Sequence, residues 1–404
     1  MFSLALVNSP DIQHHLEDGE KSIGMRRVLR GRAILWLRVR SLIFGTRPLR
    51  TGGVWNVQLE DQSAVEKRNT RKKPRVFVAG RINPPAMDLL RAECHVQYYD
   101  KRVALSKQRM KKAFRESDAV VCFAHNRIDK DIIQAADHVK VISSYTVAAD
   151  NIDVKEATKK GIYVALAPAM VHVATADLTW AILMAIARRI PEADSYVRQG
   201  KWKWWSPELF VGADLYGRTL GIVGAGRIGI GVAKRAKGFN MKTQYYDVVR
   251  SPFESELGLK YTSLEEVMST SDFVCVHVPL SDKTYHLIGE RELGLMKPTA
   301  YLINASRGPV VDEKALAKAL RAGKISGAGL DVFDREPIDN RNALTKLSNV
   351  VLTPHIGSST RENRYEESKQ VADNILTLLR GEMTDNVVNT SVQRIRPLSE
   401  IKMI

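Results

Sequence analysis

The chain has 404 residues, 44% of them apolar and 26% charged. This composition excludes a collagen-like, disordered or disulfide-scaffold protein and predicts two or three folded domains. The net charge is +16, and residues 1–75 supply half of it, with 15 Lys and Arg against 7 Asp and Glu. Because the excess is local, we expect no nucleic-acid partner. No apolar run reaches the ~20 residues of a membrane-spanning helix, so no membrane partner is expected.

Residues 1–74 show neither a sustained helical period nor a strand period. Between Met25 and Arg50 they hold eight arginines and no acid, a composition typical of a transit peptide or a helix on a membrane surface. The arginine run follows an acidic stretch and is poor in serine, which argues against targeting. We therefore expect a disordered basic extension, with organellar targeting as the alternative.

The three cysteines, Cys94, Cys122 and Cys275, lie far apart and form no CxxC pair. A disulfide framework or a cysteine-based zinc site is therefore not expected, and we expect no metal. Unpaired thiols favour a reducing compartment, so the predicted location is cytoplasmic.

From residue 75 onward, short β-rich apolar runs alternate with helical segments. Helices are expected at 85–93 and 131–137. This alternation predicts a parallel sheet with helices on both faces. The predicted strands are RVFVA (75–79), HVQYY (95–99), AVVCF (119–123), VKVISS (139–144) and IYVAL (162–166).

A longer helical pattern covers residues 172–189, where apolar side chains recur at helical spacing, and Pro191 is expected to end it. The loop that follows, GKWKWWSPELFVGADLYG (200–217), is rich in tryptophan and glycine.

A second βα series begins at Thr219 and predicts a complete doubly wound unit. A last helix near 360–380 is expected to end at Gly381, which suits a helix C-terminus. The other helices are expected near 227–238, 264–270, 290–296 and 312–322. The predicted strands are TLGIVG (219–224), MKTQYYD (241–247), FVCVHVP (273–279), TAYLINAS (299–306), GAGLDVF (327–333) and VVLTP (350–354).

The first strand of this series runs into a glycine motif that a helix follows. In dinucleotide-binding proteins the first glycine allows a tight turn, the second lets the pyrophosphate approach the backbone, and the third lets the helix pack on the strand. The helix N-terminus supplies free N–H groups to the phosphates. The motif here is Gly224-Ala225-Gly226-Arg227-Ile228-Gly229.

Asp247 closes the next predicted strand, 18 residues after Gly229. A carboxylate at this place can accept hydrogen bonds from the adenosine ribose and would repel a 2′-phosphate. Arg250, three residues further along the chain, favours NADP instead, because an arginine can bind the 2′-phosphate. NAD is therefore the predicted cofactor, with NADP as the alternative.

Three chemically complementary residues stand at the carboxyl ends of later strands, the edge where open α/β sheets bind ligands. Arg307 can grip a carboxylate with two parallel hydrogen bonds, and His355 can move a proton near neutral pH. Glu336 beside that histidine would select its tautomer and stabilise the imidazolium. Together they predict a catalytic site.

The sequence resembles the D-isomer-specific 2-hydroxyacid dehydrogenase family, and within it the glyoxylate/hydroxypyruvate reductases. The resemblance covers about residues 75–390. It is carried, in order along the chain, by DNIDVKEATKKGIYV, ATADLTWAILMAIARR, YGRTLGIVGAGRIG, VCVHVPLSDKTYHLIG, LINASRGPVVDEKAL, GAGLDVFDREP and LTPHIGSST.

The resemblance implies an α/β fold in which a doubly wound Rossmann cofactor domain is inserted into a flavodoxin-like substrate domain. The substrate domain would comprise residues 75–171 and 358–391, and the NAD-binding domain residues 172–357. Residues 392–404 would form a C-terminal tail.

The resemblance also implies the reaction: reduction of a small 2-oxo acid, glyoxylate or hydroxypyruvate, to the D-2-hydroxy acid, and its reverse. Hydride would come from the nicotinamide and the proton from His355. Arg307 would bind the substrate carboxylate and polarise its carbonyl, and Glu336 would pair with His355. Backbone amides near Val147 and Ala148 would also meet the carboxylate. The family usually has glycine where Ala148 stands, so a narrower pocket is expected.

Further cofactor contacts follow from the resemblance rather than from the glycine motif. Asp331 is expected to meet the nicotinamide carboxamide. The other expected contacts are Thr175, His277, Pro279, Thr284, Ala305, His355 and Gly357.

Several alternatives share this fold. A phosphoglycerate dehydrogenase would usually carry a C-terminal regulatory domain, and a formate dehydrogenase-like site would have glutamine in place of Glu336. An NADH-sensing protein like the corepressors of this fold would keep all three catalytic residues. The resemblance further implies a homodimer, with the helix at 172–190 and the tryptophan-rich loop 202–216 at the interface.

Overall fold

The computed structural model describes residues 73–404, apart from residues 102 and 104. Residues 1–72 of the predicted basic extension (1–74), with its arginine-rich segment, lie outside the described residues. Two parallel sheets, with helices on both faces of each, organise the rest of the chain. The predicted α/β class is therefore confirmed.

The first sheet has five strands in the order β2-β1-β3-β4-β5, all parallel. Every strand of the first predicted series is present, within two residues of its expected ends. The strands are β1 (Arg75–Val78), β2 (His95–Tyr98), β3 (Ala119–Phe123), β4 (Val141–Tyr145) and β5 (Tyr163–Leu166).

Helices cover both faces of this sheet because strand residues alternate between two apolar cores. One core joins the sheet to α1 and to α12, a helix that comes from far along the chain, and the other joins it to α2, α3 and α4. Helix α2 was not predicted, although Met110, Ala113 and Phe114 form a short buried stripe on it. The helices are α1 (Pro84–Glu93), α2 (Lys107–Glu116), α3 (Lys130–Gln134), α4 (Val154–Lys159) and α12 (Arg361–Leu379).

The second sheet has seven parallel strands in the order β12-β11-β10-β9-β6-β7-β8. The chain reverses direction across the sheet between β6 and β9, which makes the carboxyl ends of these two strands the expected ligand site of a doubly wound fold. The strands are β6 (Thr219–Val223), β7 (Lys242–Tyr246), β8 (Leu259–Tyr261), β9 (Phe273–Val276), β10 (Tyr301–Asn304), β11 (Gly327–Leu330) and β12 (Val350–Leu352).

Helices α5 and α7 pack on one face of the second sheet, and α9, α10 and α11 pack on the other. The three-residue strand β8 was not predicted. The second group of helices comprises α5 (Val171–Ala187), α6 (Ile190–Arg198), α7 (Arg227–Ala236), α8 (Glu254–Leu257), α9 (Leu264–Thr270), α10 (Glu290–Leu295) and α11 (Glu313–Arg321).

Pro191 was expected to end the long helix, and this expectation is wrong. Helix α5 stops at Ala187, Arg189 takes a left-handed φ of 54°, and α6 begins at Ile190 with Pro191 in its first turn. Proline is tolerated there because the first amides of a helix have no intrahelical acceptor.

Among the described residues, no single helix is long and apolar enough to span a membrane. Helices α5 and α6 meet the length and composition requirements only as a pair, bent by 64°.

The chain after the second sheet returns to the first. Helix α12 ends before Gly381, which has the expected left-handed φ of 79°. Residues 392–404 then include α13 (Leu398–Ile401), and both Val392 and Ile401 are fully buried in the first sheet's core. The core of the first sheet is thus built from both ends of the described chain.

Candidate active site

The glycine motif lies at the carboxyl end of β6, where the second sheet reverses its strand order. Gly224 has a φ of 99°, and a Cβ there would approach the backbone of His277 to 2.8 Å. A Cβ on Gly229 would lie 2.1 Å from the carbonyl oxygen of Gly224. Both positions therefore exclude a side chain, because one turns and the other packs against the turn.

Gly226 differs from the other two glycines, since a Cβ there would meet nothing within 4 Å and the residue is exposed. It precedes α7 and contributes no side chain to cap that helix. Among the described residues, the amides of Arg227 and Ile228 have no recorded hydrogen-bond acceptor. A helix N-terminus of this kind attracts a phosphate group.

Asp247 lies beside this turn. Its Oδ2 accepts a 2.7 Å hydrogen bond from the amide of Ala225, and its Oδ1 accepts one of 2.6 Å from Val248. Arg250, which could have favoured a 2′-phosphate, instead pairs with Glu254 at 2.6 Å, and its guanidinium lies over the ring of Tyr261. The geometry thus leaves an acid, rather than a free arginine, next to the glycine turn.

His277 follows β9 and borders the same turn. Both of its ring nitrogens are buried and have no hydrogen-bond partner among the described residues. Burial lowers the pKa of His277 from its ordinary 6.5 to about 3, so the ring is neutral at physiological pH. Buried polar atoms are nearly always satisfied, so the two ring nitrogens of His277 are an exception beside the glycine turn.

The low pKa of His277 predicts an acid-sensitive stability. Between about pH 6.5 and 3 the unfolded histidine binds a proton that the folded one does not, so stability falls as pH falls through this window. The slope from one such group reaches at most about 1.4 kcal/mol per pH unit. His277→Gln should flatten the pH dependence of Tm between pH 6.5 and 4.5. The exposed His138→Gln is the control, and equal slopes in wild type and His277→Gln would contradict the assignment.

The predicted contacts Pro279, Thr284 and Ala305 occupy two neighbouring turns. Thr284 Oγ1 donates to the carbonyl of Pro279 at 2.6 Å and closes the first turn. Ala305 is buried in the second, where Asn304 binds the amide of Ser306. Both turns follow adjacent strands, β9 and β10, so they border the same sheet edge.

Asp331 organises the segment that carries His355. It is buried, and its carboxylate accepts hydrogen bonds from Thr353 Oγ1 at 2.6 Å and from the amides of Ile356 and Gly357 at 2.8 Å. Burial raises the pKa of Asp331 despite these bonds. Three bonds leave the carboxylate little capacity beyond one further donor.

The residues that surround Asp331 include two further predicted contacts. A Cβ on Gly357 would lie 3.2 Å from Asp331 Oδ2 and 3.2 Å from Thr175 Oγ1, so these three residues are neighbours. His355 follows with a left-handed φ of 54°. Such a backbone is unfavourable for a residue with a side chain, so the surrounding contacts have to hold it.

His355 and Glu336 form a direct pair, with Nδ1 and Oε2 separated by 2.6 Å. The amide of Phe333 donates to the other carboxylate oxygen at 3.1 Å. Burial opposes ionisation of Glu336, but the hydrogen bond and charge of His355, with a contribution from Arg307, outweigh it and lower its pKa. An ionised Glu336 favours the Nδ1–H tautomer and leaves Nε2 for proton exchange.

Both side chains of this pair remain open to solvent, at 38% exposed for His355 and 36% for Glu336. A small molecule can therefore reach the histidine without any rearrangement of the pair.

Arg307 lies at the same sheet edge and acts electrostatically on Glu336. Its Nη1 donates to the carbonyl of Ser306 at 2.8 Å, and its Nε donates to Oδ2 of Asp150 at 2.8 Å. The next residue, Gly308, packs so closely that a Cβ would lie 1.9 Å from the backbone of Phe333. The backbone that carries Arg307 is therefore tightly placed beside the Glu336 loop.

The loop after β4 approaches from the first sheet and contains Val147 and Ala148. Thr146 Oγ1 donates to the carbonyl of Ala148 at 2.6 Å, and Ala148 has no positive φ. Alanine is therefore accommodated where the family usually has glycine. Asp150, in the same loop, was not singled out from the sequence, although an acid three residues from a predicted anion-binding amide was an available signal.

The tryptophan-rich loop reaches the core through Leu215, whereas its three tryptophans are exposed. Trp202, Trp204 and Trp205 have exposed fractions of 56%, 75% and 77%. Large apolar side chains so exposed are typical of surfaces that bind another protein.

Comparisons with known proteins agree with this geometry. The profile of the family "D-isomer specific 2-hydroxyacid dehydrogenase, NAD binding domain" matches residues 180–357. The glyoxylate reductase of Korarchaeum cryptofilum is 49% identical over 327 residues, 80% of this chain and 98% of that protein. The glyoxylate reductase of Thermococcus litoralis is 48% identical over 325 residues, 79% of this chain and 98% of that protein.

Solved structures show the same similarity. D-Lactate dehydrogenase from Aquifex aeolicus, complexed with NAD and lactic acid, superposes with a TM-score of 0.69 and 28% identity over 78% of this chain and 98% of its own. Glyoxylate reductase from Paecilomyes thermophila gives 0.70 and 30% over the same shares. These relatives give no support to a corepressor function. The chain therefore belongs to the D-isomer-specific 2-hydroxyacid dehydrogenase family and is an NAD-dependent oxidoreductase.

Proposed function

We propose that this chain reduces glyoxylate or hydroxypyruvate to the corresponding hydroxy acid, the D isomer where a stereocentre forms, and catalyses the reverse oxidation. The observation that carries the proposal is the 2.6 Å pair of His355 and Glu336, beside which the backbone that follows Arg307 packs against Phe333. Two relatives named glyoxylate reductase, at 49% and 48% identity, support glyoxylate as a substrate. When bound, NADH supplies the hydride for this reaction.

His355 is the proposed acid and base. In the reduction, protonated His355 donates from Nε2 to the carbonyl oxygen as negative charge develops there. Glu336 holds the imidazole by Nδ1 and stabilises its charged form. In the oxidation the same nitrogen takes the proton back from the hydroxyl group.

Arg307 and the loop after β4 are the proposed substrate clamp. The guanidinium would bind the carboxylate and polarise the carbonyl, and the amides of Val147 and Ala148 would bind the carboxylate from the other side. The methyl group of Ala148 would narrow the pocket relative to glycine, and a narrower pocket would favour small 2-oxo acids.

The described residues fit a bound NAD in two respects: the open space over Gly226 and the acid beside the glycine turn. Asp247 would bind the adenosine ribose, and Asp331 would offer its remaining capacity to the carboxamide. The full proposed set is Thr175, Gly224, Gly226, Arg227, Ile228, Gly229, Asp247, His277, Pro279, Thr284, Ala305, Asp331, His355 and Gly357.

Gly226→Ala tests the proposed phosphate site without disturbing the fold. Since its φ of −71° suits alanine and a Cβ meets no atom within 4 Å, Tm should stay within 2 °C of wild type while the KM for NADH rises about tenfold or more. Gly238→Ala, whose Cβ also meets nothing within 4 Å, is the matched control. An unchanged KM for NADH in Gly226→Ala would contradict the proposal that this turn binds the pyrophosphate.

We further propose that residues 75–171 and 358–391 form the substrate domain and residues 172–357 the cofactor domain. A homodimer through α5 and the loop 202–216 is proposed because three tryptophans there are more than half exposed. A cytoplasmic location is proposed because Cys94, Cys122 and Cys275 are buried, unpaired thiols.

A panel of 2-oxo acids, each assayed with NADH and with NADPH, tests the proposed function. We expect turnover of glyoxylate and hydroxypyruvate, weaker turnover of acids with a larger group on the keto carbon, and a preference for NADH. No oxidation of either nucleotide with any acid of the panel would overturn the proposal. A clear preference for NADPH would overturn only the role assigned to Asp247.

A further inference from the structure

Arg307, the proposed substrate-binding arginine of the second sheet, is itself bound by the carboxylate of Asp150, which belongs to the part of the chain around the first sheet. Arg307 Nε donates to Asp150 Oδ2 at 2.8 Å, and the two residues are 157 positions apart in sequence. Asp150 follows β4 of the first sheet, and Arg307 follows β10 of the second. The ion pair therefore joins the two sheets beside the proposed substrate site.

The loop that carries Asp150 is restrained on both sides of it. After it, Asn151 Nδ2 donates to the carbonyls of Phe123 at 3.1 Å and Asn126 at 2.8 Å. Before it, Thr146 binds the carbonyl of Ala148. The Asp150 carboxylate is thus presented to Arg307 from a backbone that its neighbours hold in place.

Two of the three nitrogens of the Arg307 guanidinium are occupied by protein acceptors. Nε binds Asp150 and Nη1 binds the carbonyl of Ser306, whereas Nη2 has no acceptor in the part of the chain that the structure describes. Because a guanidinium is planar with its donors in a rigid fork, fixing two nitrogens fixes the direction of the third.

We propose that Asp150 is a positioning residue, which orients Arg307 so that Nη2 and the second hydrogen of Nη1 face the substrate. The inference rests on the proposed role of Arg307 in binding a 2-oxo acid. Without Asp150 the long arginine side chain regains rotamer freedom, and each turnover has to order it again. The contribution of Asp150 comes from its hydrogen bond to Nε, which an amide oxygen can also accept.

Asp150→Ala and Asp150→Asn separate this role from a merely structural one. For Asp150→Ala we expect kcat/KM for glyoxylate to fall on the order of 10- to 100-fold, the cost of a misplaced catalytic group, with an unchanged KM for NADH. Asp150→Asn should recover most of that loss. Asp131→Ala, which removes an exposed ion pair with Lys107 on the same sheet unit, should retain wild-type kinetics.

Wild-type kcat/KM in Asp150→Ala, or an Asp150→Asn variant as impaired as the alanine variant, would overturn the inference. Oxamate, an unreactive analogue of a 2-oxo acid, separates this result from the proposed reaction. The affinity of oxamate is to be measured for the NADH-loaded wild type, Asp150→Ala, Arg307→Ala and the double variant. We expect the loss of binding free energy in the double variant to differ from the sum of the two single losses. If the losses of oxamate affinity are non-additive but the wild type reduces no 2-oxo acid, the proposed reaction is wrong and the coupling of Asp150 to Arg307 stands. If the losses are additive, the proposed coupling is wrong.

Discussion

His355→Ala should lower kcat for 2-oxo acid reduction by ~10²–10⁴-fold, the range that positioned proton donors contribute. The imidazole is the group that can place a proton on the developing alkoxide, and its pair with Glu336 keeps Nε2 available. Steady-state oxidation of NADH, followed by absorbance with glyoxylate, measures the loss. NADH affinity should fall far less than kcat, because His355 is one of many proposed cofactor contacts and the motif of β6 and α7 is untouched.

Two further variants serve as a comparison and a control for His355→Ala. Glu336→Gln should cost less than His355→Ala, because the neutral amide still holds the ring but no longer favours its charged form. His138→Ala, at an exposed site on the first sheet unit, should leave kcat unchanged. A His355→Ala enzyme within threefold of wild-type kcat would show that another group transfers the proton.

Arg307→Ala should weaken substrate binding and turnover together. Loss of a hydrogen-bonded charge partner costs about 2–5 kcal/mol, which corresponds to a fall in kcat/KM of roughly 30- to 5,000-fold. Since the guanidinium both holds the carboxylate and polarises the carbonyl, we expect KM for glyoxylate to rise and kcat to fall. Initial rates over a wide glyoxylate range at saturating NADH separate the two effects.

Arg307→Lys keeps the charge but loses the planar fork, so its kcat/KM should lie between wild type and Arg307→Ala. Arg341→Ala is the matched control, because Arg341 is 87% exposed and pairs with Asp339 on the surface of the second sheet unit. If only kcat fell in Arg307→Ala, with KM unchanged, Arg307 would polarise the carbonyl without binding the carboxylate.

The main architecture could be predicted because local patterns specify it. Strands buried on both faces appear as short runs of Val and Ile, such as AVVCF (119–123), and these runs recur at regular intervals between helical segments. The motif from Gly224 to Gly229 could also be predicted, since Gly224 and Gly229 are required by a close backbone approach that a side chain would block.

Elements with weak local signals were missed. Helix α2 has only three buried residues and is otherwise strongly charged, and β8 is three residues long. The role of Pro191 was predicted wrongly because a proline is compatible with the end of one helix and with the first turn of the next. The left-handed turn at Arg189 decides between the two here. Beside that turn the Arg189 guanidinium lies over the ring of Phe210, and the amide of Ala213 donates to the carbonyl of Ala187. A local pattern does not contain these contacts.

The amino-acid order alone indicated the family, the cofactor turn and the three residue types of the catalytic chemistry, because each depends on local spacing or on a residue's own functional group. The folded chain added the geometry between distant groups: the 2.6 Å contact of the expected Glu336–His355 pair, three donors on buried Asp331, and Asp150 bound to Arg307. Such relations depend on which loops two separate sheets bring together, and no local stretch of sequence encodes the position of a partner 157 residues away.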